Sequence, residues 1–99
     1  MTVTKNINSI HLDATGQAHT GPGIVKRVIL YSGSTAGATV TLYDNTSATG
    51  NKIAPTLAVD PSNTGGEAAI SKSFEIGAEF STGVHAVMTG TSPECVIII

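Results

Sequence analysis

The stretch Ile24-Val25-Lys26-Arg27-Val28-Ile29-Leu30-Tyr31 decides the fold class together with a second run, Thr39-Val40-Thr41-Leu42-Tyr43-Asp44-Asn45-Thr46-Ser47, beyond a loop of small residues. β-branched residues crowd both runs, and neither carries the apolar spacing of an amphipathic helix. They read as neighbouring strands of an antiparallel meander. A third short run, Lys52-Ile53-Ala54, is confined by Pro55 to a sheet edge. Alternation in the first strand puts Ile24, Lys26, Val28 and Leu30 on one face and Val25, Arg27, Ile29 and Tyr31 on the other. With both faces largely apolar, the strand is expected inside a sheet, its Lys26-Arg27 pair solvated at the rim. In the second strand Val40 and Leu42 point inward, while Thr39, Thr41 and Tyr43 point outward.

The same pattern extends in both directions. Thr2 to Ile10 alternates, with Val3 and Ile7 on its apolar side, and Ile10 and Leu12 take the opposite parity, which predicts a bulge near Asn8-Ser9. Asp13-Ala14-Thr15-Gly16 is turn chemistry, Gln17 to Thr20 a short edge strand, and Gly21-Pro22-Gly23 a break. Downstream, Leu57-Ala58-Val59 is brief, and Asp60 to Glu67 is loop. Ala68 to Ile76 offers Ile70, Phe74 and Ile76 to the core. Glu79 to Gly83 reads as a turn whose Phe80 plugs the interior. Val84, Ala86 and Met88 then share one face, opposite His85 and Val87. The chain ends on Cys95-Val96-Ile97-Ile98-Ile99, apolar on both faces. Some eight short strands with frequent turns predict an all-β fold, an antiparallel, jelly-roll-like β-sandwich. It is read as one domain over 1–99, with 1–22 an N-terminal strand and arm.

Composition narrows the function. The chain has 99 residues, 40% of them hydrophobic but only 4% aromatic, with no Trp. A domain of this size buries about 60–65% of its unfolded surface, so a core of Val, Ile, Ala and Leu is thin and gains from a partner subunit. A formal charge of −2 gives no electrostatic case for nucleic acid or anionic lipid. Charged residues are only 12%, which leaves Thr, Ser, Asn and Gly to coat the surface. The single Cys95 excludes an internal disulfide. The N-terminus lacks the signal-peptide pattern, and no apolar run is long enough for a membrane helix, so synthesis in the cytoplasm is expected.

Reactive chemistry finds little footing. His11, His19 and His85 are scattered, without metal-ligand spacing, and read as surface or rim histidines. Asp44 and Asn45 have oxygens suited to calcium but lack the loop spacing that ion needs, and they read as an Asx turn. No nucleophile elbow surrounds any serine, and the Gly-rich stretches do not open helices. Asp60, Glu67, Glu75 and Glu79 do not pair in any recognisable way. Four aromatics (Tyr31, Tyr43, Phe74, Phe80) are few for a sugar platform. The expectation is a non-enzyme without catalytic residue, metal or cofactor.

The runs Gly23 to Val28, Thr41 to Ile53 and Phe80 to Gly90, with the final β-run, resemble the jelly-roll capsid decoration (cement) proteins of tailed bacteriophages. The resemblance covers most of the chain from Gly23 and is one of strands and turns. It implies a virion structural protein that binds the major capsid protein on the head exterior and stabilises it. It also implies a homo-oligomer, a trimer matching the local threefold sites of capsids. Val3, Ile7, Val96, Ile97, Ile98 and Ile99 are the interface candidates, with burial in the sandwich interior the competing role for the last strand. A carbohydrate- or receptor-binding module of a phage tail or head fibre is the alternative, and a small hydrolase on a β-scaffold a third reading.

Overall fold

The computed structural model describes residues 9–32, 37–59, 70–90 and 92–99. The expectations for Val3 and Ile7, for the loop after Ser32 and for Asp60 to Glu67 lie outside the described residues. Among the described residues eight strands form two four-stranded antiparallel sheets: β1 (Ser9–Leu12), β2 (Gly16–Thr20), β3 (Gly23–Ser32), β4 (Ala38–Tyr43), β5 (Leu57–Val59), β6 (Ile70–Phe80), β7 (Gly83–Gly90) and β8 (Glu94–Ile98). One sheet has the order β1-β8-β3-β6 and the other β2-β7-β4-β5. Every connection passes from one sheet to the other except β4 to β5, a hairpin within one sheet. Two interleaved four-strand sets wound in this way are a jelly roll.

This winding corrects the meander. β3 and β4 are successive but lie in different sheets. The reason is that each has a face rich in apolar side chains, Val25, Val28 and Leu30 on β3 and Val40 and Leu42 on β4, and the two strands bury more by opposing those faces across the core than by pairing edge to edge. Val25, Val28 and Leu30 thus meet Val40 and Leu42 in one cluster, joined by Phe80, Val84, Ala86, Met88, Cys95 and Ile97. The run at Lys52 forms only an isolated bridge to Tyr43; the edge place belongs to β5. β6 runs further than its apolar residues suggest, through Glu79 to Phe80, leaving Ser81-Thr82 as the turn.

The face assignment within β3 is also corrected. Val25 and Val28 are both buried, three residues apart, while Lys26 and Arg27 are both exposed. The register with β6 shifts here: Val25 opposes Ala78 and Arg27 opposes Glu75, so Ile76 and Gly77 together face Lys26. Gly77 has φ +66°, the left-handed conformation that such a bulge requires and that side chains resist. The bulge flips the parity of everything after it. Ile24, Arg27, Ile29 and Tyr31 therefore share the outward face, and Val28 and Leu30 join Val25 inside.

Leu30 and Leu42 are among the largest fully buried side chains, one from each sheet. Leu30→Ala and Leu42→Ala are each expected to lower the unfolding free energy by about 2–5 kcal/mol. Ile24→Thr, on the outer face, should move it by about 0.5 kcal/mol or less. Urea unfolding measures all three, and a small loss at Leu30 would show that the sheets do not meet there.

Candidate functional site: two unlike outer faces

The sheets are held at one end by a carboxylate. Asp44, just past β4, accepts hydrogen bonds from three successive backbone N–H groups where β6 crosses to β7: Ser81 at 3.0 Å, Thr82 at 2.8 Å and Gly83 at 3.2 Å. The Ser81 hydroxyl adds a fourth contact. The Ser81 amide, then those of Thr82 and Gly83, hold the Asp44 carboxyl below its ordinary value of 3.8, against a smaller opposing effect of desolvation. The β2-to-β3 crossing is tied to the same turn, with Gly21 N–H donating to Thr82 O at 2.8 Å. Close packing here demands glycine at 83, since a Cβ would lie 2.6 Å from His19 O and 2.9 Å from Gln17 Nε2. Asn45 braces the turn that follows, its Oδ1 accepting the Thr46 N–H and its amide donating to Thr49 O.

Outward-facing residues fall into rows that the strand register fixes. On the sheet β1-β8-β3-β6, Ser9, Ile98, Arg27 and Glu75 form one row, and His11, Val96, Ile29 and Ser73 the next. Glu94, Tyr31 and Ser71 complete a third. The middle of this face is therefore Val96, Ile98, Ile29 and Tyr31, with Ile24 beyond. Tyr31 and Ile24 are 40% and 44% exposed. An ion pair and a hydrogen bond flank the patch: Arg27 Nε to Glu75 Oε2 at 2.8 Å, and His11 Nε2 with Glu94 Oε1 at 2.8 Å.

The sheet β2-β7-β4-β5 presents the opposite character. Gln17, His85, Tyr43 and Lys52 form one row across it. Behind them stand Val87 and Thr41, the latter hydrogen-bonded to Thr56, and then Thr89, Thr39 and Ala58. Hydroxyl, amide and imidazole groups dominate.

The interface candidates divide accordingly. Ile97 is fully buried in the core, Val96 and Ile98 are half-buried on the outer face, and Ile99 packs partly against the core. The last strand thus serves interior and outer face in alternation. The structure does not bring the three histidines together: His11 pairs with Glu94, His19 stands edge-on to Phe80 with ring centroids 5.6 Å apart, and His85 bonds to Gln17. Among the described residues no three His, Cys, Asp or Glu side chains converge as metal ligands, and no helix is long and apolar enough to cross a membrane. Cys95 is buried, and burial pushes its thiol up to about 11, which suppresses the reactive thiolate. Sequence reasoning missed the outward grouping of Ile29 and Tyr31 with Val96 and Ile98, because the bulge sits in the partner strand. An isolated Gly77 within a strand pattern was its only signal.

Comparison with protein-family models, with curated proteins and with solved structures finds no match to this chain.

Because the folded carboxyl of Asp44 is lowered, its contribution is complete above the unfolded value and drains away as acid protonates the folded group. Asp44→Asn should therefore destabilise the protein near neutrality and flatten the acid side of its stability profile. Thermal unfolding across pH measures this, and an unchanged acid limb in the variant would remove the clasp from the account.

Proposed function

We propose that the chain is a non-catalytic virion module, a capsid decoration protein of a tailed bacteriophage, which docks through the outer face of the sheet β1-β8-β3-β6. The observation that carries it is the contrast between the two outer faces. A sandwich with both faces in water alternates apolar-in and polar-out on every strand. The second sheet does so apart from Val87 and the small Ala58, whereas β3 and β8 place Ile29, Tyr31, Val96 and Ile98 side by side on the outside. Contiguous apolar surface rimmed by polar groups is the mark of an interaction site. Fold-level analogy adds that jelly rolls build many viral shells.

The proposed partners are the major capsid protein and further copies of this chain. A symmetric oligomer, a trimer in this reading, would multiply weak contacts on a symmetric shell. The location is the virion exterior, and no catalytic residue or cofactor is assigned.

Heads lacking the protein should co-sediment with it, and light scattering should give a trimer mass. Val96→Lys and Ile29→Lys each replace an apolar contact with a charge and should weaken head binding by at least about tenfold, the equivalent of about 1.4 kcal/mol. Thr39→Lys on the other sheet should leave binding intact. A monomer that ignores heads would overturn the proposal.

A further inference from the structure

We infer that the row Gln17, His85, Tyr43 and Lys52, on the outer face of the sheet β2-β7-β4-β5, is a binding site for a neutral saccharide. This goes beyond the docking role, since it concerns the opposite face of the sandwich.

Gln17 decides which ring nitrogen of His85 carries the proton. The Gln17 side-chain amide donates to two backbone carbonyls, His19 O at 2.7 Å and Asn45 O at 3.0 Å. Two acceptors around one terminal atom identify it as the NH2 group and exhaust both its hydrogens. Gln17 Oε1 is then only an acceptor, and it lies 2.9 Å from His85 Nδ1. Nδ1 must carry the hydrogen. In the neutral imidazole Nε2 is left with a bare lone pair, and it has no hydrogen-bond partner among the described residues. A glutamine anchored at both ends thus fixes both the tautomer and the ring orientation of a histidine on a solvent-facing sheet.

Its neighbours suit a polyhydroxyl ligand. Tyr43 is the direct cross-strand partner of His85 on one side, as Gln17 is on the other, and Lys52 lies directly across from Tyr43. Opposed residues on one sheet face have Cβ atoms about 4.5–5.5 Å apart. An acceptor, an aromatic ring and a cationic donor therefore follow one another across the sheet. A sugar ring presents one apolar C–H face, which an aromatic ring covers, and hydroxyls that both donate and accept. A hydroxyl donates to His85 Nε2, the C–H face lies on Tyr43, and Lys52 Nζ donates to a second oxygen. Thr41 and Thr56 extend the hydroxyl surface beside them. One lysine beside neutral groups does not make an anion site, and the row lies on an open sheet face that suits a chain of sugar units.

The test has two readouts. First, 15N NMR of the imidazole should show His85 protonated at Nδ1 when neutral, and Gln17→Ala should release that preference; a neutral Nε2–H form in the native protein would overturn the inference. Second, the protein is applied to an array of neutral and acidic glycans, and any positive is titrated by calorimetry. Expected is binding to at least one neutral glycan, weakened about tenfold or more by Tyr43→Ala or His85→Ala through loss of the ring or the hydrogen bond, and unaffected by Tyr31→Ala. Lys52→Ala, at the exposed end of the row, serves should His85→Ala not fold. No neutral glycan bound, or binding indifferent to these substitutions, would overturn it.

Discussion

One carboxylate organises this fold. A jelly roll must carry its chain between two sheets repeatedly, and each crossing leaves backbone N–H groups without a ladder partner. At the β6-to-β7 crossing Asp44 supplies the missing acceptors for Ser81, Thr82 and Gly83, while Thr82 in turn accepts the amide of the β2-to-β3 crossing. Strand β4 of one sheet, the turn leading from the other, and a second crossing are joined through a few atoms. Charge-assisted bonds of this kind are about twice as strong as neutral ones. Because Gly83 has no side chain, Gln17 and the carbonyls of His19 and Asn45 can close in around the same turn. The amide that orients His85 is therefore held by the corner that Asp44 clasps, which links the fold to the outer face.

Much of the fold could be read from the residues. The faces of Val40, Leu42, Val84, Ala86 and Met88 follow from alternation, and the structure buries all five, along with Phe80, which plugs the core from the end of β6 rather than from a turn. Gln17 to Thr20 is an edge strand, as its short polar run implies. The strand content and the sandwich follow from the same periodicity. Two things escaped it. Alternation says which face of a strand is inward but not which strand lies beside it, so β3 and β4 read as a hairpin although they oppose each other. It also assumes an unbroken register, and Gly77 breaks that register from the strand opposite, turning Ile29 and Tyr31 outward with Val96 and Ile98.

The candidate surfaces were less legible, because each is assembled from strands far apart in the chain. Asp44 reads locally as an Asx residue, yet its partners are 37 to 39 residues away. His85 and Gln17 are 68 apart. No local motif signals either pairing. What the sequence does carry is the restraint in charge and the abundance of threonine, and these fit a protein that works through its surfaces.

Each outer face carries one tyrosine, Tyr31 on the proposed docking face and Tyr43 on the opposite one. Hydroxyl-radical footprinting of the protein, free and bound to heads, reads both at once. Loss of reactivity at Tyr31 with Tyr43 still reactive is the expected result. Protection of Tyr43 with Tyr31 left open, or no change at either, would contradict the division of faces.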